Sequence, residues 1–67
     1  MQLIDRKWNS MQSKWEYTYL ANSESDVTVP DDDAAIGSQI LVIGSGAMYI
    51  KNTEGEWQKN GTDEVIG

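Results

Sequence analysis

The sequence predicts a small all-β fold: an antiparallel sheet or meander of about five short strands in a single domain. Three observations predict it. Apolar and aromatic residues alternate with polar ones at period two over residues 2–8 and 14–20, as in strands with one buried face. No segment sustains the i, i+3, i+4, i+7 spacing of an amphipathic helix. Turn signals (Gly44-Ser45-Gly46, Asn52-Thr53-Glu54-Gly55 and Asn60-Gly61) separate the short apolar runs of the C-terminal half.

The first strand covers residues 2–8, with Ile4, Arg6 and Trp8 expected on one side and Leu3, Asp5 and Lys7 on the other. Residues 9–13 (Asn-Ser-Met-Gln-Ser) form a turn, because Asn and Ser side chains bond nearby backbone. The second strand, residues 14–20, turns Trp15, Tyr17 and Tyr19 to one face and Glu16, Thr18 and Leu20 to the other. The two runs make a hairpin in which Trp8 lies beside the aromatics of the second strand, and cross-strand aromatic pairs contribute roughly 0.2–1 kcal/mol each.

Residues 21–26 are a polar connection. Val27, Thr28 and Val29 lead into Pro30, which holds Val29 extended and donates no hydrogen bond, so this piece is at most an edge strand. Asp31 or Asp32 is placed to cap a short turn through Ala34 and Ala35 that Gly37 ends. Residues 39–43 (Gln-Ile-Leu-Val-Ile) are apolar at successive positions, which predicts a central strand covered on both faces. Residues 44–46 reverse the chain, residues 47–51 return, and Gly55 takes the left-handed position of the next turn. Residues 56–59 form the last strand, with Trp57 inward. Residues 1–60 are thus the domain, and residues 61–67 are a flexible C-terminal tail unless a neighbour orders them.

Composition narrows the function. The chain has 67 residues and a net charge of −6, from five basic against eleven acidic side chains, with neither His nor Cys. Disulfides and the usual zinc sites are therefore absent from its chemistry. Domains below roughly 70–80 residues commonly gain stability from a disulfide, a metal or association, so self-association, as a homo-oligomer, is the expected support. Scattered basic residues offer no footprint for phosphate backbones, so no nucleic-acid partner is expected. The longest apolar run, residues 40–43, is far short of the ~20 residues of a membrane helix, so no membrane partner is expected either. The start, Met1-Gln2-Leu3-Ile4-Asp5, lacks a signal peptide's basic and apolar regions, and synthesis in a cytoplasm is the expectation.

Val29-Pro30, Ile36-Gly37-Ser38, Leu41-Val42-Ile43, Met48-Tyr49-Ile50, Asn52 and Gly55-Glu56-Trp57 together carry a resemblance. The pattern resembles small structural proteins of tailed bacteriophages and prophages and modules of phage fibre and tail proteins. Ile4-Asp5-Arg6-Lys7-Trp8 and Trp15-Glu16-Tyr17 also look like the start of the small phage proteins, so the resemblance spans about residues 3–59. It implies a virion structural protein, made in the bacterial host cytoplasm: a head decoration, head-fibre or tail accessory protein. Its partners would be its own copies and other virion proteins such as capsid or tail subunits. No catalytic residue comes with the pattern.

The candidate binding or interface residues are Trp8, Trp15, Tyr17 and Tyr19. In a short chain without Phe these rings are needed for a core or a subunit interface, since each buries 150–250 Å². The rival role is a small carbohydrate-binding module that stacks a sugar on an exposed Trp or Tyr. Glu24, Asp26, Asp31, Asp32 and Asp33 read as a solvated acidic loop. Calcium takes such oxygen ligands, but the EF-hand order is missing, so no metal and no cofactor is expected. Gly44 and Gly46 lack the third glycine and following helix of a dinucleotide site. A glycosidase would need two carboxylates facing across a cleft, which so small a domain hardly walls, so an enzyme is not expected.

Overall fold

A computed structural model describes residues 1–30 and 33–67. Strands β1 (Gln2–Asn9), β2 (Lys14–Ala21), β3 (Gln39–Val42), β4 (Met48–Lys51) and β5 (Trp57–Lys59), with a 3₁₀ turn at Glu24–Asp26, make up the fold. They form one sheet in the order β1-β2-β3-β4-β5, so the chain is a small all-β domain. No helix among the described residues is long and apolar enough to cross a membrane.

The hairpin β1–β2 forms where period-two alternation places it, with Trp8 opposite Trp15 and Arg6 opposite Tyr17. Asn9 Oδ1 accepts the Gln12 N–H at 3.0 Å and shapes the turn. A register shift between Leu3 and Asp5 changes the expected sides of β1. The extra residue of such a bulge resets the alternation, so Leu3, not Ile4, shares a face with Arg6 and Trp8. The C-terminal meander β3–β4–β5 is antiparallel throughout. Asn52 Oδ1 accepts the N–H groups of Glu54 and Glu56 and holds the β4–β5 turn.

One pairing departs from the antiparallel expectation: β2 and β3 are parallel, Tyr19 lying beside Ile40 and Ala21 beside Val42. Parallel neighbours need a crossover of a dozen or more residues, and residues 22–38 supply it. Its described residues lie over one face of the sheet, where Val27 and Ala34 pack into the core. Residues 27–30 lie outside the sheet. The proposed cap at Asp31 or Asp32 lies outside the described residues. Beyond the strands the parallel ladder continues, Ala21 O accepting Ile43 N–H and Asn22 O accepting Gly44 N–H, both at 2.9 Å. A Cβ on Gly44 would stand 2.8 Å from Asn22 O, so glycine is required by that close approach.

Ala21, Ala34, Ile40, Val42, Tyr49 and Trp57 form the buried core under the crossover. The registers put the strand-borne members of this set on one face. Burial of β3 is therefore one-sided, against the expectation that both faces are covered. Ile40 and Val42 are buried, Gln39 and Leu41 are half-buried, and Ile43 is 61% exposed. The physical reason is that, among the described residues, the covering layer lies on one side of the sheet.

Residues 61–67 return along β5. Trp57 N–H donates to Gly67 O, Trp57 O accepts Ile66 N–H, and Lys59 N–H donates to Glu64 O. Val65 bridges to Gln58, and Ile66 packs on the core. The neighbour that meets these residues is thus a strand of the same chain.

Candidate functional site

The site is the outer end of hairpin β1–β2, which projects beyond the part of β2 that β3 covers. Only Thr18, Tyr19, Leu20 and Ala21 of β2 have partners on β3. The earlier half, from Lys14 to Tyr17, is held instead by the end of the crossover. Ala35 N–H donates to Trp15 O at 2.8 Å. The Ser38 hydroxyl accepts Tyr17 N–H at 3.0 Å and donates to Ala35 O at 2.8 Å. Gln12 adds a two-point clamp, its amide oxygen accepting Ile36 N–H at 2.8 Å and its Nε2 donating to Ile36 O at 3.0 Å. A side-chain amide has both a donor and an acceptor, so Gln12 copies one rung of a strand.

On this end of the hairpin the four predicted aromatics divide. Trp8 and Trp15 meet edge to face, with centroids 5.3 Å apart and planes at 71°, and they are 49% and 36% exposed. The Arg6 guanidinium sits 4.7 Å from the Trp15 ring centre, a cation–π distance. Tyr17 and Tyr19 are half-buried and pack against the core. Tyr19 reaches Trp57 with centroids 6.4 Å apart. The division follows the covering layer: rings against it are half-buried, and rings beyond it are exposed. Leu3, Ile4 and Met11 are also exposed on this hairpin. Gln12 escaped sequence reading, because nothing distinguishes it from an ordinary turn residue, and Ser38 entered only within the Gly-Ser element of the pattern, with no role of its own.

Glu24, Asp26 and Asp33, the described carboxylates of the acidic loop, are bound by groups of this chain. Glu24 accepts the Tyr49 hydroxyl at 2.7 Å, and its other oxygen takes Lys59 Nζ at 3.1 Å and the Ser45 hydroxyl at 3.3 Å. Asp26 receives the Met1 amine at 2.8 Å and Asn22 N–H at 3.1 Å, and Asp33 pairs with Lys14 at 3.1 Å. Among the described residues no three His, Cys, Asp or Glu side chains gather as a metal site would require. Asp31 and Asp32 lie outside the described residues.

Hydrogen bonds from Tyr49 and then Lys59 lower the Glu24 pKa below the ordinary glutamate value. The Met1 amine and the Asn22 N–H do the same for Asp26. A lowered native pKa gives stability that is complete above the unfolded value and lost as pH falls through the native one. The melting temperature should therefore fall on acidification below about pH 4.3, the unfolded glutamate value. Glu24→Gln should lower it at pH 7 and make the acid limb shallower, as read by circular dichroism melts between pH 2 and 7. An unchanged acid limb would show that Glu24 ties nothing together. On the alkaline side, the Lys59 pKa is raised, chiefly by its bond to Glu24, so that contribution fades as pH climbs through the raised value.

No protein-family model, no curated protein and no solved structure matches the chain.

Proposed function

We propose that this chain is a structural protein of a tailed-phage virion, a head decoration, head-fibre or tail accessory protein. It works by docking onto capsid or tail subunits and by associating with its own copies. The resemblance over residues 3–59 supports the setting. The observation that carries the docking is the exposed Trp8–Trp15 pair, held on a hairpin end pinned by Gln12 and Ser38. Trp and Arg are enriched among the residues that dominate binding energy. Here two indoles and a guanidinium lie together on backbone that needs little ordering on contact. No catalysis is proposed for a chain with neither His nor Cys.

Exposure of Trp8 also favours a second reading, a carbohydrate-binding module. Sugars stack on flat ring faces, whereas these two planes are inclined at 71° and Arg6 covers one side of Trp15. The geometry therefore suits a protein surface better.

Purified particles of the phage that carries this coding sequence test the proposal. Mass spectrometry should find the chain in wild-type particles and lose it with Trp8→Ala combined with Trp15→Ala, while circular dichroism shows that variant folded. Absence of the wild-type chain from particles would overturn the virion role. A shift of Trp fluorescence on adding polysaccharide, abolished by Trp15→Ala, would replace it with the carbohydrate reading.

A further inference from the structure

We propose that the sheet face turned away from the core is closed by the same face of a second copy, so that two chains form a two-layer sandwich. This deepens the self-association in the reading above and rests on it. The registers align Leu20, Leu41 and Met48 in one row across β2, β3 and β4, each half-buried. With Ile43, Ala47 and Asn60 they line an open groove of about 480 Å³. An apolar stripe on a sheet face gains by burial against another layer, and among the described residues the covering layer lies on the opposite side.

Charge selects a second copy as the occupant. The chain carries −6, so most of its surface repels its own kind. The charged strand residues of this face are Asp5, Lys7, Lys14 and Glu16, by their registers, two of each sign. Within the chain Lys14 is held by Asp33 and Glu16 by Asn9, so a two-fold partner can set Lys7 of one copy over Asp5 of the other while the apolar rows meet. The two long dimensions of the whole chain, 32 and 25 Å, set an upper limit on this face of about 800 Å², the area that each partner of a standard interface buries. The outer edge of β1 is a poorer route to a pair, because Asp5, Arg6, Lys7 and the bulge before Asp5 are features that block edge-to-edge pairing.

Light scattering at two concentrations tenfold apart tests the face. Wild type should show twice the chain mass of 7.5 kDa. Leu41→Glu should be monomeric at both concentrations with an unchanged circular dichroism spectrum. Ile43→Lys, at an exposed position that costs the fold little, should weaken association at least tenfold and keeps the test valid if Leu41→Glu does not fold. An equimolar mixture of Leu41→Glu and Leu41→Lys should restore the double mass. A wild-type monomer at both concentrations would overturn self-association and this face together. A wild-type oligomer that survives Ile43→Lys would overturn the face alone, and its loss in Trp15→Ala would move the contact to the hairpin.

Discussion

Trp57→Ala should remove about 3–5 kcal/mol, most or all of the stability of the fold, whereas Trp15→Ala should leave the chain folded. Trp57 is 2% exposed, meets Tyr19 edge-on, and its backbone bonds residues 66 and 67. Truncating a buried Trp to Ala costs about 3–5 kcal/mol. Total stability runs at about 0.05–0.15 kcal/mol per residue, so a domain of this length holds on the order of 3–10 kcal/mol, and the loss removes much or all of it. Trp15 is 36% exposed and its ring contacts are Trp8 and Arg6. An aromatic pair is worth ~0.5–1.5 kcal/mol beyond its burial, and a ring already 36% exposed has less burial to lose than Trp57, so the domain should survive the change. Far-UV circular dichroism with thermal melts reads both variants. Unfolding by Trp15→Ala would show that the hairpin end belongs to the core, and would remove it as a docking surface.

The second large effect concerns a single hydroxyl. Ser38 is 1% exposed, and its Oγ accepts Tyr17 N–H while donating to Ala35 O. Ser38→Ala strands the Tyr17 donor, whereas Ala35 O keeps the Ser38 N–H at 3.1 Å. Leaving a buried group unsatisfied costs about 1–3 kcal/mol. At about 4–8 °C per kcal/mol for a domain of this size, the melting temperature should fall by several degrees or more. Urea unfolding should move to a lower midpoint without a change of slope, and the Tyr17 amide should lose hydrogen-exchange protection. An unchanged Tyr17 amide would mean that the hydroxyl does not hold the crossover to β2.

Much of the strand content was legible because it is written locally. Alternation at residues 2–8 and 14–20, the Asn52 and Gly55 turn, and the inward Trp57 each depend on neighbours within a few positions. The bulge at Ile4 was not legible, since alternation in β1 reads equally well with either side inward until β2 sets the pairing. The aromatics of β2 show the same limit. Their shared face follows from period two, but which rings are buried depends on how far along β2 the crossover and β3 reach. That division separates the exposed Trp8 and Trp15 of the candidate site from the core-packed Tyr17 and Tyr19.

By itself the sequence determined an all-β chain, its turns, its acidity, and a chemistry without His or Cys. Tertiary structure decided that β2 and β3 run parallel, that β3 is covered on one side only, and that Glu24 and Asp26 serve as internal ties. The reason is range. Strand periodicity and turn propensity act within a few residues. Pairing direction and burial follow instead from where the described residues of the crossover, which carry no period of their own, come to rest on the sheet.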